Sequence, residues 1–169
     1  MKKSSAPEPA VTFREMLAYT DYLAHRWLDY FKQQDAALAV AIGGRTPSLR
    51  DLVGHIFRVE HFFAVFLSQE ESAPTPTAPP PNPESPSLET LVRMHQEAHE
   101  KLAQYINSAS EEGLRRMRTL GPAKVSNRKI LAQTVLHSVH HWAQVAMEVR
   151  QAGFPTQPPQ DIIVSPVME

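Results

Sequence analysis

Cysteine is missing from all 169 residues. Its absence excludes disulfides, thiolate-ligated zinc and a cysteine nucleophile, and fits a cytosolic protein. Glycine is scarce, at six residues, and β-branched alternating runs are few, which argues against a sheet. No stretch approaches the roughly 18 apolar residues of a membrane span. The opening MKKSSAPEPA has two lysines with no apolar run behind them, so it is not expected to be a signal peptide. Basic excess is also lacking: the formal net charge is −1 with histidine counted as neutral, and nucleic acid is not an expected partner. There is no glycine-rich phosphate loop, serine nucleophile elbow or HExxH pair.

What remains is apolar residues at helical spacing, 15 prolines gathered in clusters, and eight histidines. The expected class is all-α, a four-helix bundle. The chain is long enough for one domain with a core. We expect a flexible N-terminus over 1–10, a single bundle domain over 11–163 and a tail over 164–169.

The first helix follows Thr12-Phe13-Arg14-Glu15, a capping-box pattern, and runs to about Gln34. Its inward stripe is Phe13, Met16, Leu17, Thr20, Ala24, Trp27, Leu28 and Phe31, with His25 beside it. Ala36 to Ile42 could form a short turn before Gly43-Gly44. The second helix starts at Thr46-Pro47-Ser48, where Ser48 and Asp51 can cap, and ends near Ser68. Its inward stripe reads Leu52, His55, Val59, Phe62 and Phe66; His61 lies on another face. Residues 72–86 hold seven prolines and cannot be a helix; they read as a long connection. The third helix runs from about Ser87 to Asn107, with Leu88, Leu91, Val92, His95, His99, Leu102 and Ile106 inward. Residues 108–127, broken by Gly113 and Gly121-Pro122, form a second long connection with one possible helical turn. The fourth helix, Ile130 to Gly153, is capped by Ser126 or Asn127 and stopped by Gly153 and Pro155. Ile162 and Ile163 are expected to tuck back onto the bundle.

The fourth helix carries the chemistry. His137 and His141 are four apart, so both imidazoles lie on one face with Ile130, Thr134 and Val145. Two inward imidazoles one turn apart are two of the three ligands of a usual catalytic metal site. The third must come from a facing helix. His55 is a polar residue in an apolar row and needs a partner, which makes it a candidate. A lone inward histidine is more often a hydrogen-bonded core residue than a ligand. His95 and His99 form a competing pair that also reads as core polar or interface residues. His140 reads as a pocket residue or an alternative i, i+3 partner of His137. Glu148 shares the face of His141 and could be a general base, though a charge at the far end of the bundle is the simpler reading. Tyr19, Tyr22 and Trp27 at helical spacing are more simply core than pocket.

Two regions, RTPSLRDLVGHIFRVEHFF and LAQTVLHSVHHWAQVAMEVRQAGFPTQPPQDII, resemble the DinB/YfiT-like family of small four-helix bundles. The first matches the family's histidine after an L-x-x-H-I run. The second matches its His-x-x-His-His helix, followed by an apolar helix end, a glycine, a proline-rich turn and an aspartate. The resemblance spans most of residues 11–163. It implies a divalent metal held by three histidines, which fall on His55, His137 and His141. The family often has Arg-Gly after the double histidine, where Trp142-Ala143 stands here with Gln144 retained. The resemblance further implies a metal-dependent enzyme, a thiol S-transferase or a hydrolase, using zinc or nickel. Its partners would be a low-molecular-weight thiol and a small electrophile, in a cytoplasmic homodimer. The alternatives are a non-catalytic metal-binding stress protein and a metal-free bundle with core histidines.

Overall fold

The computed structural model describes residues 11–43, 46–69, 85–155 and 158–168. Four long helices dominate: α1 (Phe13–Gln33), α2 (Leu49–Ser68), α3 (Leu88–Ser108) and α5 (Asn127–Gln151). A short helix α4 (Glu111–Arg115) and a hairpin of β1 (Met117–Leu120) and β2 (Ala123–Ser126) lie between α3 and α5. A 3-10 turn, Asp35–Ala39, follows α1. No helix among the described residues is long and apolar enough to cross a membrane.

Each long helix starts on a hydroxyl. The Thr12 side chain accepts from the Glu15 backbone N–H, and the Glu15 carboxylate accepts from the Thr12 N–H at 2.6 Å, completing a capping box. Ser48, Ser87 and Ser126 each accept from the backbone N–H three residues on. Such caps satisfy first-turn donors that have no partner within the helix, each typically contributing about 1 kcal/mol. Gly153, at φ 77°, closes α5 in the left-handed conformation that ends many helices.

The helices α1 and α2 each pack against both α3 and α5, so they lie diagonally across the bundle. Two apolar clusters fill it. The larger holds Leu23, Trp27, Phe31, Leu52, Ile56, Phe57, Leu91, Trp142 and Val149, with the Trp27 and Trp142 rings stacked 6.0 Å apart. The smaller, towards the other end, holds Leu17, Ala64, Phe66, Leu67, Leu102, Ile130 and Leu131. Between them, every long helix contributes buried polar groups: Thr20, Glu60, His95, Thr134 and Ser138. A polar layer therefore crosses the core.

Three expectations change. The second long connection is not irregular: it holds α4 and an antiparallel hairpin, with Leu120 paired to Ala123 across the two-residue loop Gly121-Pro122. Gly121 at φ 57° supplies the backbone conformation such loops require. Arg118 of β1 fastens the hairpin by donating to the Phe66 carbonyl and lying 4.3 Å over the Phe66 ring. The buried face of α2 is rotated from the expected stripe: Leu49, Val53, Ile56, Phe57, Glu60, Ala64 and Leu67 are buried, whereas His55, Val59 and Phe62 are only half-buried. The reason is that α2 packs against two neighbours, so its inward face is wider than one row. In the C-terminal segment, Ile163 is 86% exposed. That segment docks through Gln160, which donates to the Trp142 carbonyl and accepts from the Tyr19 hydroxyl, and through buried Ser165. The proline-rich run expected over 72–86 lies outside the described residues except for Ser85 and Pro86.

Candidate metal centre

His55 stands in the second turn of α2, and His137 and His141 stand one turn apart on α5, which packs against α2. The three rings converge. The His137 and His55 Nε2 atoms are 3.2 Å apart. Ring centroids are 4.4 Å apart for His137 and His141, and 5.0 Å apart for His55 with each of the others. Each ring offers one nitrogen within 4.8 Å of the others'. Two nitrogens at about 2.1 Å from one ion lie about 3.0 Å apart in octahedral and about 3.4 Å apart in tetrahedral coordination. The observed Nε2 separation falls between these values.

The electrostatics suit the same use. Burial, followed by the His141, His55 and His140 rings, depresses His137 to about 3. Burial, His141 and Arg58 lower His55. Burial also lowers His141, against an opposing hydrogen bond to Gln144. Neutral imidazoles are what a cation requires. The His141 Nδ1 lies 3.1 Å from Gln144 Oε1. The amide oxygen can only accept, so His141 donates from Nδ1 and its Nε2 keeps the lone pair. The buried Nδ1 of His137 has no hydrogen-bond partner. Nitrogen donors at this spacing fit a divalent transition ion.

The other histidines go elsewhere. His140 is exposed, its ring 5.1 Å from that of His141. His95 and His99 do not join the trio; they face Asp21 of α1. Tyr19 and Trp27 belong to the core. Trp142, where the family pattern often has arginine, is fully buried against Trp27 and Phe57, so that position packs rather than binds.

Sequence reasoning passed over Asp21, Glu60 and Ser138. Ser138 donates a short hydrogen bond to Glu60. Glu60 Oε2 lies 3.9 Å from His95 Nδ1, and His95 Nε2 lies 3.0 Å from Asp21 Oδ1. Burial opposes charge on His95, but the two carboxylates outweigh it and raise the ring to about 9. A carboxylate four residues after Ile56 on a helix whose apolar residues recur at that spacing was the available signal for Glu60.

The DinB family model matches residues 8–164. The chain belongs to the DinB family. Among solved structures it is similar to YfiT from Bacillus subtilis, described as a probable metal-dependent hydrolase with an unusual four-helix bundle topology. That match has 15% identity and a TM-score of 0.66, and covers 89% of this chain and 95% of that one. It is also similar to a DinB-like protein, YjoA, from Bacillus subtilis, at 21% identity and a TM-score of 0.56, over 88% of this chain and 94% of the other. Likeness at these identities establishes the four-helix-bundle fold. No curated protein matches in sequence.

Proposed function

We propose that this DinB-family chain is a metal-dependent hydrolase whose divalent ion is held by His55, His137 and His141. The observation that carries this reading is the convergence of three neutral imidazoles from two packed helices, with the His55 and His137 Nε2 atoms 3.2 Å apart. Three nitrogen donors leave coordination positions open, as catalytic sites do and closed structural sites do not. When bound, a divalent ion supplies an activated water and polarises a carbonyl or phosphoryl oxygen. The chain's own contribution is to fix the donors. Gln144 accepts from His141 Nδ1 and sets that ring's tautomer. Burial of His137 keeps its ring neutral. The description of YfiT as a probable metal-dependent hydrolase supports the reaction class; zinc and nickel are the ions we favour.

The test is metal content by mass spectrometry of untagged protein purified without chelator, beside the His55→Ala/His141→Ala double variant. We expect the variant to lose one equivalent of metal and with it hydrolysis of a panel of ester, amide and phosphoester substrates. Equal metal in both proteins overturns the site. Full metal loading with conjugation of a low-molecular-weight thiol to an electrophile, and no hydrolysis, replaces the reaction class and keeps the site.

A further inference from the structure

A second constellation lies on the opposite pair of helices, between α1 and α3, and shares no residue with the first. Three imidazole nitrogens converge on a single carboxylate oxygen. His95 Nε2 is 3.0 Å, His25 Nδ1 3.4 Å and His99 Nδ1 3.5 Å from Asp21 Oδ1. Asp21, His25 and His95 each offer one ligand atom within 4.8 Å of the others'. Of the three rings only His95 is at normal hydrogen-bond distance from this carboxylate oxygen, His25 Nδ1 donating instead to the Asp21 backbone oxygen at 3.0 Å. A cation fits this spacing, since separations of about 3.0 to 3.4 Å are those of atoms sharing one ion.

His95 is held between two carboxylates. Its Nε2 points at Asp21, and its other nitrogen, buried and without a hydrogen-bond partner, faces the Glu60 carboxylate at 3.9 Å. Glu60 is itself fixed by Ser138. A carboxylate behind the distal ring nitrogen orients and polarises a ligating imidazole once it closes to hydrogen-bond distance. Two carboxylates hold this buried ring charged in the metal-free protein, so a divalent ion would take the place of its proton. The site is reachable: Asp21 and His99 line an open groove of about 420 Å³ with Arg14, Leu17, Ala103 and Asn107.

We propose that Asp21, His25 and His95, with His99 beside them, form a second divalent-cation site between α1 and α3, distinct from the trio on α2 and α5. Binding requires the protons on His95 Nε2 and His25 Nδ1 to leave those nitrogens, with net release to solvent, and breaks the 3.0 Å hydrogen bond from His25 to the Asp21 backbone oxygen. Nitrogen with one carboxylate oxygen suits zinc, nickel or manganese.

The experiment is calorimetric titration of metal-free, full-length protein with zinc chloride at pH 7.5. Wild type is expected to bind two equivalents. His55→Ala/His141→Ala, checked for its fold by circular dichroism, is expected to bind one. Adding Asp21→Asn to that variant is expected to weaken the remaining equivalent at least tenfold. His25→Ala/His99→Ala, which changes less buried side chains and spares the core, is expected to weaken it as well. One equivalent in wild type and none in the His55/His141 variant overturns the second site and keeps the first. One equivalent in both keeps the second site and removes the first. Zinc uptake indifferent to both Asp21→Asn and His25→Ala/His99→Ala overturns the assignment of ligands.

Discussion

Glu60→Gln is the substitution that isolates what the buried carboxylate does. Glutamine keeps the shape and an oxygen to accept from Ser138, but removes the negative charge facing His95. In the metal-free protein, the rise of His95 from 6.5 to about 9 is a preference for the charged ring of about 3 kcal/mol, at 1.36 kcal/mol per tenfold change in proton affinity. His95 is 2% exposed, so solvent screening reduces this little. Asp21 and Glu60 share the effect and also offset the burial that opposes it, so the Glu60 charge accounts for at least about 1 kcal/mol. The folded-state value is raised, so this stability is fully present below the unfolded value of 6.5. It is lost as pH rises through about 9. Urea unfolding in chelator should therefore show Glu60→Gln less stable than wild type by at least about 1 kcal/mol at pH 6, with the gap closing by pH 10. A penalty that is the same at both values would mean that the carboxylate acts through shape and hydrogen bonding alone. A penalty that grows with pH would reverse the sign of the argument.

Further consequences concern the trio, the core and one helix end. Three imidazoles of ordinary pKa would lose about fifty-fold in zinc affinity between pH 7.5 and pH 6 through proton competition. His137 lies at about 3 and His55 and His141 also lie below the ordinary value, so titration at the two pH values should show less than about a fourteen-fold loss, and a fifty-fold loss would contradict the buried, neutral picture. Trp142→Ala removes a fully buried ring stacked on Trp27 and should cost about 3 to 5 kcal/mol in urea unfolding; a loss under about 1 kcal/mol would show that the indole is not part of the packed core. Gly153→Ala meets no atom within 4 Å, but the residue sits at φ 77°, so thermal unfolding should report a backbone cost of about 1 kcal/mol with no packing contribution.

The fold was legible because its signals are local and repeated. Hydroxyl caps at Thr12, Ser48, Ser87 and Ser126 stand one residue before the helices they start, and the stop at Gly153 stands two residues after the helix it ends. Apolar spacing does the rest. The hairpin was hidden because MRTL and AKVS are four residues each, too short for alternation to register. Gly121-Pro122 reads equally well as a simple break. Its strands depend on Arg118 reaching Phe66, a contact 52 residues away in sequence. The convergence of His55 with His137 and His141 was legible as a possibility from an i, i+4 pair and one polar residue near an apolar row. Whether α2 and α5 adjoin at that level is a tertiary fact.

The polar layer shows where periodicity stops being informative. A hydrophobic stripe marks which face turns inward, and a charged residue near it is read as belonging to the edge. On α2 that logic placed His55 in the middle and ignored Glu60, whereas the structure half-exposes His55 and buries Glu60 to 5%. Burying a lone carboxylate is costly, so Glu60 can occupy the centre only because Ser138 of α5 and His95 of α3 meet it there. Asp21 of α1 in turn completes His95. Each of these four residues is unfavourable in the core alone and acceptable only with the others. Their interaction is a property of four helices at one level, and no window along one helix contains it. The same interdependence gives the layer a structural consequence. Sliding any helix by one turn, about 5.4 Å, would leave at least one buried charge unpaired, so the layer fixes the register in which α2 and α5 bring the three imidazoles together.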